Sequence, residues 1–446
     1  MALTALDIFK HLPKTNCGKC GHPTCLAFAM QMAAKKVELT DCPDVTDEAR
    51  AALEGASSPP IRLVTVGKGD GAIKIGNETV LFRHDETFYH PTGIAARIKD
   101  NLDDGAVQAE INAVKALSFE RVGQKIAVDM IAVENVSGDK AKFTRVVSAA
   151  KDTGLALILM SDNADALSAA LEVCGDQNPL LYRANSQNWE AMAGLAKAKS
   201  CPLVVDASDL SQAADLTAKL NQAGVQDLVL DITSGGMSGT LSALTKIRRL
   251  ALKKNLRSLG YPCMALPSNS DANLATTEAG AYVAKYAGIV VIDVKEPWRV
   301  LPLLTIRQNI FTDPRKPVQV EPKLYSIGAV TNKSPLLMTT NFSLTYYTVE
   351  GDVEASRIPS YVGVIDTEGT SVLTAWASEK LTVEKVTKFL NSDEVKGKVS
   401  HNKVIIPGYV AVMSGGLEDE SGWQVLVGPR ESSGIAKYLK TMWKSD

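Results

Sequence analysis

The sequence predicts an α/β protein made of three parts, and three features of the chain lead to this prediction. Four of the seven cysteines lie early in the 446-residue chain. Eight short apolar runs then alternate with helical segments over roughly 240 residues, the usual size of a closed (β/α)8 barrel. A proline-rich break over 312–325 precedes a last α/β segment. We therefore expect a cysteine module over 1–57, a TIM-type barrel over 61–312 and a Rossmann-like α/β domain over 325–446.

The four N-terminal cysteines form a C-x-x-C-x4-C motif and a fourth member after sixteen further residues. In order they are Cys17, Cys20, Cys25 and Cys42. A glycine follows each of the first two, which leaves the backbone free to approach sulfur and to donate N–H bonds to it. Pro23 suits the start of a helix, which we expect to run to about Leu39 with Cys25 in its first turn. A short helix is expected over 5–12 and a weaker one near 47–53.

Four thiolates on a compact, partly apolar segment favour a [4Fe-4S] cluster. Structural zinc is the alternative, but it more often takes two C-x-x-C knuckles, and this segment has one. A disulfide framework is less favoured than either metal. The remaining cysteines follow no ligand spacing, and we expect them to be small buried hydrophobic residues: Cys174, Cys201 and Cys263.

Composition argues against several classes of protein. The chain has 48 basic and 50 acidic residues and no Lys/Arg-rich run, so we do not expect nucleic acid as its main partner. The N-terminus lacks the charged and apolar regions of a signal peptide. No apolar stretch reaches the roughly 18 residues that a membrane span needs. Clustered cysteines indicate a reducing compartment, so we expect a cytoplasmic protein.

A linker of two serines and two prolines, Ser57 to Pro60, would let the cysteine module move. After it, RLVTV and AIKIG flank a glycine-rich turn and predict a β-hairpin. The eight expected barrel strands are TVLFR at 79, IAVDMIAV at 126, LALILM at 155, LLYR at 180, LVVDA at 203, DLVLDI at 227, YPCMAL at 261 and IVVID at 289. A doubly wound open sheet is the main competitor, because a strand count does not exclude it.

Three aspartates lie at or near predicted strand ends, where barrel enzymes place their sites. They are Asp206, Asp231 and Asp293. With the glycine-rich loop Thr233 to Gly239 they could line a substrate or pterin pocket. Loop and helix capping is the favoured interpretation, because Asp and Ser prefer such positions. No histidine lies between His90 and His401, and the loop lacks the G-K-[ST] end of a Walker loop.

The last segment alternates strand and helix again. YVGVID at 361 is an expected strand, a polar loop and helix follow, KVIIPG and YVAVMSGG are expected strand material, and WQVLVG precedes a final helix. Sheets of this kind bind ligands at the carboxyl ends of their strands. Two loops there, 367–374 and 428–434, are rich in Gly, Ser and Thr. They could hold the amide arms of a large cofactor or a phosphate, and ordinary capped turns are the alternative.

The cysteine segment TNCGKCGHPTCLAFAM, the predicted barrel and the segment YVGVIDTEGTSVLTAWASEKLT together resemble the large (gamma) subunits of corrinoid iron-sulfur proteins of the reductive acetyl-CoA (Wood-Ljungdahl) pathway. The resemblance covers the whole chain. It implies a methyl carrier, in which a corrinoid cobalt accepts a methyl group from methyltetrahydrofolate through a separate methyltransferase. The cobalt then delivers this group to the acetyl-CoA synthase of a CO dehydrogenase/acetyl-CoA synthase.

The resemblance also implies how the cofactors and a partner are arranged. The [4Fe-4S] cluster would reduce inactive Co(II) to Co(I). The low potential that this reduction needs lies within the wide range of reduction potentials that such clusters span. A small barrel subunit would complete a heterodimer and hold the corrinoid (cobamide) between the two chains. The chain would then be a subunit of a methyltransferase system rather than a stand-alone enzyme, and we name no catalytic residue.

Corrinoid contacts are implied in the C-terminal domain. One segment should run beside the corrin, with its last residue near the lower face: Thr370, Ser371, Val372, Leu373 and Thr374. Weaker candidates carry hydroxyl or backbone donors: Thr340, Tyr346, Gly434, Ile435 and Ala436. Loop or strand-edge packing is the alternative for each. His401 lacks the D-x-H-x-x-G frame of many corrinoid domains, so we expect no histidine on cobalt and a weak axial ligand such as water.

Two other functional classes are retained. In the first, the barrel itself binds a methylpterin and catalyses methyl transfer, although no clear D-x-N frame directly ends a predicted strand. In the second, the chain is an iron-sulfur electron-transfer subunit or a zinc-stabilised scaffold without cobalt.

Overall fold

The fold is taken from a computed structural model that describes residues 5–33, 36–37, 39–46, 59–233 and 235–443. The weaker helix expected near 47–53 and the two linker serines lie outside the described residues. Within the described ranges, every helix is too short or too polar to cross a membrane.

The chain divides into two compact units. The first comprises Met1–Leu117 and Ala127–Phe311, and the second comprises Ser118–Ile126 and Thr312–Asp446. The first unit contains the cysteine segment and a barrel, and the second contains an open sheet.

Two helices form the described part of the cysteine module: α1 (Ala5–His11) and α2 (Cys25–Ala33). The expectation that α2 continues to about Leu39 is wrong, since a 3-10 turn occupies Leu39–Asp41. The Cys42 N–H donates to the Leu39 carbonyl at 3.2 Å. This turn folds the chain back, so that Leu39 and Cys42 share one small core with Phe28 of α2.

The strands up to Phe311 are named in chain order. They are β1 (Val64–Val66), β2 (Ile73–Ile75), β3 (Gly93–Lys99), β4 (Ser118–Arg121), β5 (Gln124–Ala127), β6 (Met130–Glu134), β7 (Ala156–Met160), β8 (Leu180–Ala184), β9 (Leu203–Asp206), β10 (Leu228–Asp231), β11 (Cys263–Ala265) and β12 (Ala287–Ile292). The helices are α3 (Asp104–Lys115), α4 (Lys140–Lys151), α5 (Ala164–Cys174), α6 (Trp189–Lys199), α7 (Leu210–Gln222), α8 (Gly236–Lys254), α9 (Ala272–Ala284) and α10 (Pro297–Phe311).

Eight of these strands, β3 and β6 to β12, close into a barrel in chain order. Neighbouring strands around the barrel pair in parallel. The predicted TIM-type barrel is therefore confirmed, and the open-sheet competitor is excluded. A separate two-stranded sheet is formed by β4 and β5.

The first barrel strand is not the one that the sequence pattern predicts. TVLFR at 79–83 has irregular backbone, and the strand is β3, GIAARIK. The charged residues Arg97 and Lys99 interrupt the apolar pattern of this strand, so the sequence does not predict it. IAVDMIAV is also not one strand, since β5 ends within it and β6 begins at Met130.

The predicted hairpin before the barrel is confirmed as the antiparallel pair β1–β2. Its Val64, Val66 and Ile75 are fully buried among side chains at the starts of barrel strands, such as Ala156. The hairpin therefore closes the amino-terminal end of the barrel.

The chain also enters the barrel at this amino-terminal end. The Arg257 guanidinium donates to the Pro59 carbonyl at 2.7 Å, and the Arg62 N–H donates to the Gly260 carbonyl at 2.8 Å. Arg257 and Gly260 lie in the loop that precedes β11. Pro59, a residue of the expected linker, is therefore fixed to the loop that precedes β11.

The second unit contains a five-stranded sheet with helices. The strands are β13 (Leu324–Ile327), β14 (Leu336–Thr340), β15 (Ser360–Ile365), β16 (Lys403–Ile406) and β17 (Gln424–Val427). The helices are α11 (Ser343–Ser356), α12 (Val372–Ala377), α13 (Val383–Leu390), α14 (Asp393–Lys398), α15 (Ser414–Ser421) and α16 (Ile435–Met442).

The order of strands in this sheet is β13-β15-β14-β16-β17. The edge strand β13 is antiparallel to β15, and the other neighbouring pairs are parallel. Apolar residues pack against the sheet in two clusters. The four parallel strands therefore present their carboxyl ends along one edge, as in α/β sheets that bind ligands there.

The expectation that YVAVMSGG is strand material is wrong, since it forms a 3-10 segment at Gly408–Met413 followed by α15. Its valines occupy alternate positions, which is the pattern expected of a strand. Val410 and Met413, three residues apart, are buried, whereas Val412 is 74% exposed. This burial follows a helical spacing rather than a period of two.

A buried arginine fixes the irregular segment between β2 and β3. Arg248 on α8 donates to the Val80 carbonyl from Nε at 3.0 Å and lies 3.5 Å from the Glu78 carboxylate. Glu78 also accepts the N–H groups of Tyr89 and His90 at 2.9 and 3.0 Å. Both charged side chains are buried, so each depends on the other for compensation.

Arg248→Met is expected to lower the free energy of unfolding by about 3 kcal/mol, because it leaves the Glu78 carboxylate buried without its cation. The control is Arg249→Met, which changes an exposed neighbour on the same helix and should stay within about 0.5 kcal/mol of wild type. Urea unfolding of the full chain measures both. Equal stability of the two variants would contradict this role of Arg248.

Candidate functional site

The four motif cysteines differ in exposure, and three of them belong to or border the same small core. Cys25 and Cys42 are buried members of that core, Cys20 packs against it, and Cys17 is exposed. Cys25 opens α2, as the sequence pattern predicts. The module thus gathers the two ends of the motif around α1 and α2.

Two polar contacts hold the first cysteine turn in place. Asn16 has φ of +49° and accepts the Cys25 N–H through Oδ1 at 2.9 Å. Lys19, between the first two cysteines, donates to both carboxylate oxygens of Asp44 at 3.0 and 3.1 Å. The turn is therefore tied both to the start of α2 and to the segment that follows Cys42.

The thiols influence one another. Burial raises the pKa of the Cys42 thiol, a hydrogen bond from the Asp44 backbone lowers it, and Cys20, Cys25 and Cys17 raise it further. Within the described ranges, no three His, Cys, Asp or Glu side chains have the close spacing of a formed metal site. The module thus presents four neighbouring thiols rather than a closed coordination sphere.

A cavity of about 320 Å³ lies in the second unit, at the carboxyl ends of β14, β16 and β17. Its depth is apolar, with Leu337, Ile405 and Ile435 among the lining residues. Hydroxyl and charged groups lie in its wall as well, including Ser371 and Arg430. An apolar cavity with a few polar groups is the usual form of a cofactor site.

One buried hydroxyl group in this cavity lacks a partner. Thr339, near the end of β14, is 3% exposed and lines the cavity. Its Oγ1 makes no hydrogen bond to any described residue, and neither does that of the next residue, Thr340. A buried hydroxyl without a partner is costly, so this wall offers an unused hydrogen bond to a ligand.

The structure brings four of the ten predicted corrinoid contacts to the cavity wall. They are Ser371, Val372, Leu373 and Ile435. Gly434 and Ala436 flank one of these residues in the chain, and Thr374 receives a hydrogen bond from Ser371 at 3.1 Å. Thr370 donates to the Thr367 carbonyl at 2.7 Å.

Tyr346 lies elsewhere, because its ring is buried against Tyr325 with centroids 4.5 Å apart. Its hydroxyl donates to the Glu350 carboxylate at 2.8 Å. Tyr346 and Thr340 do not line the cavity, and no observation assigns either to a ligand.

A buried asparagine supports the predicted loop. Asn341 follows β14, and its Oδ1 accepts the N–H groups of Thr367 and Gly369 at 2.9 and 3.0 Å. Its amide donates to Asp366 at 3.0 Å. Because Asn341 is 1% exposed, these bonds are shielded from water and fix the loop that leads to Ser371.

The sequence pattern fails to identify two polar residues of the cavity, Thr339 and Tyr409. Tyr409 donates to the Glu431 carboxylate at 2.5 Å, and Arg430 follows the end of β17. Arg430 falls within the loop 428–434, so the strand-end rule already covers it. The pattern misses Thr339 because it does not predict β14, and it misses Tyr409 because it predicts a strand there.

The carboxyl-end mouth of the barrel contains a separate set of charges. The Arg97 Nε donates to Asp293 at 2.7 Å, and Arg183 lies 2.9 Å from Asp206. Asp231 accepts the Tyr182 hydroxyl at 3.0 Å. Burial raises the pKa of Asp231 and that of Asp206.

The capping interpretation holds for one of these three aspartates. Asp231 accepts the N–H of Thr233 in its own turn at 3.0 Å, whereas Asp206 and Asp293 pair with arginines. Ser234 of the glycine-rich loop lies outside the described residues. Each of these carboxylates thus has a partner, an arginine for Asp206 and Asp293 and hydroxyl and N–H donors for Asp231.

Two family comparisons match this chain. A model for the CO dehydrogenase/acetyl-CoA synthase delta subunit matches residues 63–439. A second model, named for an Fe-S cluster, matches residues 12–43 and so includes all four motif cysteines.

Two relatives align with nearly the whole chain. The corrinoid/iron-sulfur protein large subunit of Moorella thermoacetica is 47% identical over 441 residues, which are 99% of each chain. The acetyl-CoA decarbonylase/synthase complex subunit gamma of Methanothermobacter thermautotrophicus is 38% identical over 98% of this chain and 99% of its own.

Among solved structures, a dihydropteroate synthase from Thermus thermophilus covers 56% of this chain and 100% of its own. Its identity is 15% and its TM-score is 0.39, so it supports no statement about function.

Proposed function

Because the chain belongs to the family of corrinoid/iron-sulfur protein large subunits, together with the gamma subunits of acetyl-CoA decarbonylase/synthase complexes, we propose that it is a methyl carrier of the acetyl-CoA pathway. The observation that carries the proposal is the 47% identity over 99% of both chains. This alignment spans the cysteine module and the cavity of the second unit together.

We propose that three domains share this methyl-carrier function: a cluster domain over 1–57, a TIM-type barrel over 61–312 and a corrinoid-binding, Rossmann-like domain over 325–446. Four residues would hold a [4Fe-4S] cluster: Cys17, Cys20, Cys25 and Cys42. When bound, the cluster supplies one electron at a time, and a corrinoid supplies a cobalt centre that accepts and releases a methyl group.

The cysteine module suits a cluster by the chemistry of its donors. All four candidate ligands are thiols, three of them belong to or border one core, and Asn16 and Asp44 fix the loops that carry them. The Asp44 N–H bonds to the Cys42 sulfur, and N–H bonds to sulfur help to set the potential of such clusters. The single C-x-x-C knuckle favours iron over zinc.

The cavity suits part of a corrinoid. Its apolar depth would exclude water, and the Thr339 hydroxyl offers an unused hydrogen bond. A corrinoid is much larger than this cavity, so the exposed apolar residues beside it would contact the remainder. These include Leu373 (55% exposed) and Tyr409 (44%).

No histidine is positioned to bind cobalt from this domain. His401 is its only histidine, and it lies before β16, at the opposite end of that strand from the cavity. Its Nε2 is 2.8 Å from the Ser334 carbonyl oxygen, so this ring nitrogen already has a hydrogen-bond partner. A corrinoid held in this domain would therefore take no ligand from His401, and Thr374 would lie beside it.

Three partners follow from the proposed role. A small corrinoid iron-sulfur subunit would cover the exposed apolar residues beside the cavity and form a heterodimer. A methyltetrahydrofolate methyltransferase would supply the methyl group, and a CO dehydrogenase/acetyl-CoA synthase would receive it. The mouth of the barrel would take no part in methyl transfer, because its carboxylates are paired with Arg97, Arg183 and Tyr182.

Thr345→Trp tests the cavity. Thr345 on α11 lines it, and an indole there should fill the space and lower the cobalt content about tenfold, with iron unchanged. The control is Glu354→Trp, on an exposed position of the same helix that does not line the cavity. Elemental analysis measures both metals. Wild-type cobalt content in Thr345→Trp would contradict the assignment of the cavity.

Cys20→Ala tests the cluster. Loss of one thiolate ligand should abolish iron binding and the reductive reactivation of oxidised, inactive protein by a protein electron donor. The control is Cys174→Ala, a buried cysteine outside the motif. Iron analysis and a reactivation assay measure the effect. Reactivation at the wild-type rate in Cys20→Ala would rule out the proposed role of the cluster.

A further inference from the structure

A charged pair links the two ends of the cysteine motif. Lys19 lies between Cys17 and Cys20, and its ammonium donates to both oxygens of the Asp44 carboxylate at 3.0 and 3.1 Å. Asp44 lies two residues after Cys42. The pair therefore places one positive and one negative charge close in the chain to the first two and the last cysteines of the motif.

Asp44 is held close to both ends of the motif. Its carboxylate accepts two hydrogen bonds from Lys19, the residue between Cys17 and Cys20. Its backbone N–H also bonds to the Cys42 sulfur. The ion pair thus joins the turn that carries the first two cysteines to the segment that follows the last one.

We propose that Lys19 and Asp44 tune the reduction potential of the cluster held by the four cysteines, with the lysine favouring the reduced form and the aspartate opposing it. This inference rests on the proposed cluster. Reduction adds a negative charge, so a nearby ammonium stabilises the product and a nearby carboxylate destabilises it. The potential of an iron-sulfur cluster follows the net charge and the hydrogen bonds around its sulfurs.

A role limited to stability is not expected for this pair. The side chains of Lys19 and Asp44 are 59% and 32% exposed, and ion pairs in water contribute little to folding. The chain offers a matched comparison on α1, where Lys10 and Asp7 form an exposed ion pair at 3.0 Å. Lys10 and Asp7 both lie in α1, before the first cysteine of the motif in the chain.

The test is a redox titration of the full chain, purified without oxygen, with the reduced cluster followed by electron paramagnetic resonance. Lys19→Met should lower the reduced-to-oxidised ratio at a fixed potential roughly three- to tenfold, and a tenfold change equals about 59 mV for one electron. Asp44→Asn should shift the ratio in the opposite direction. Lys19→Arg keeps the charge and should match wild type, as should the control Lys10→Met.

Salt provides a further readout that a purely structural role would not affect. The shifts should shrink from about 0.1 M to about 1 M salt, since the screening length falls from about 10 Å to about 3 Å. Equal potentials in Lys19→Met, Asp44→Asn and wild type would overturn the inference. So would shifts of both variants in the same direction with loss of iron, since that would indicate loosened ligands. Wild-type protein without iron would instead overturn the proposed cluster.

Discussion

Parallel strands bring the loops at their carboxyl ends to one edge, and the polar regions of both α/β domains depend on that constraint. In the barrel this edge is occupied by ion pairs, such as Arg97 with Asp293 and Arg183 with Asp206. In the second unit the same kind of edge is open, with a cavity of about 320 Å³. Under the proposed function, the C-terminal sheet would bind the ligand and the barrel would serve as a scaffold.

The scaffold role agrees with how the barrel is built. Its chain entry is fixed at the amino-terminal end, where Arg257 holds Pro59, and its interior is filled there by the hairpin β1–β2. Pro59 is thus fixed to the barrel where the described chain resumes after the cysteine module. The described part of that module consists of α1, α2 and one small shared core.

Much of the fold can be predicted from the periodicity of apolar residues. The predictions of strands and helices are wrong where a charged residue interrupts that periodicity or where a local sequence has the periodicity of a different element. The barrel is predictable because most of its strands are uninterrupted apolar runs. β3 is not predictable in this way, because Arg97 interrupts its apolar run. The charge of Arg97 lies in the mouth of the barrel, where it pairs with Asp293. The cysteine motif is readable from spacing alone. Thr339 and Tyr409 are not, because their place in the cavity depends on tertiary neighbours, and the corrinoid contacts come from resemblance rather than from pattern.

Metal content tests the central claim most directly, since a corrinoid iron-sulfur carrier requires both iron and cobalt in the same complex. Iron, cobalt and zinc should be measured on protein purified without oxygen together with its small partner subunit. About four iron and about one cobalt per chain, with little zinc, are expected. About one zinc per chain without cobalt would contradict both cofactor assignments and leave a zinc-stabilised scaffold.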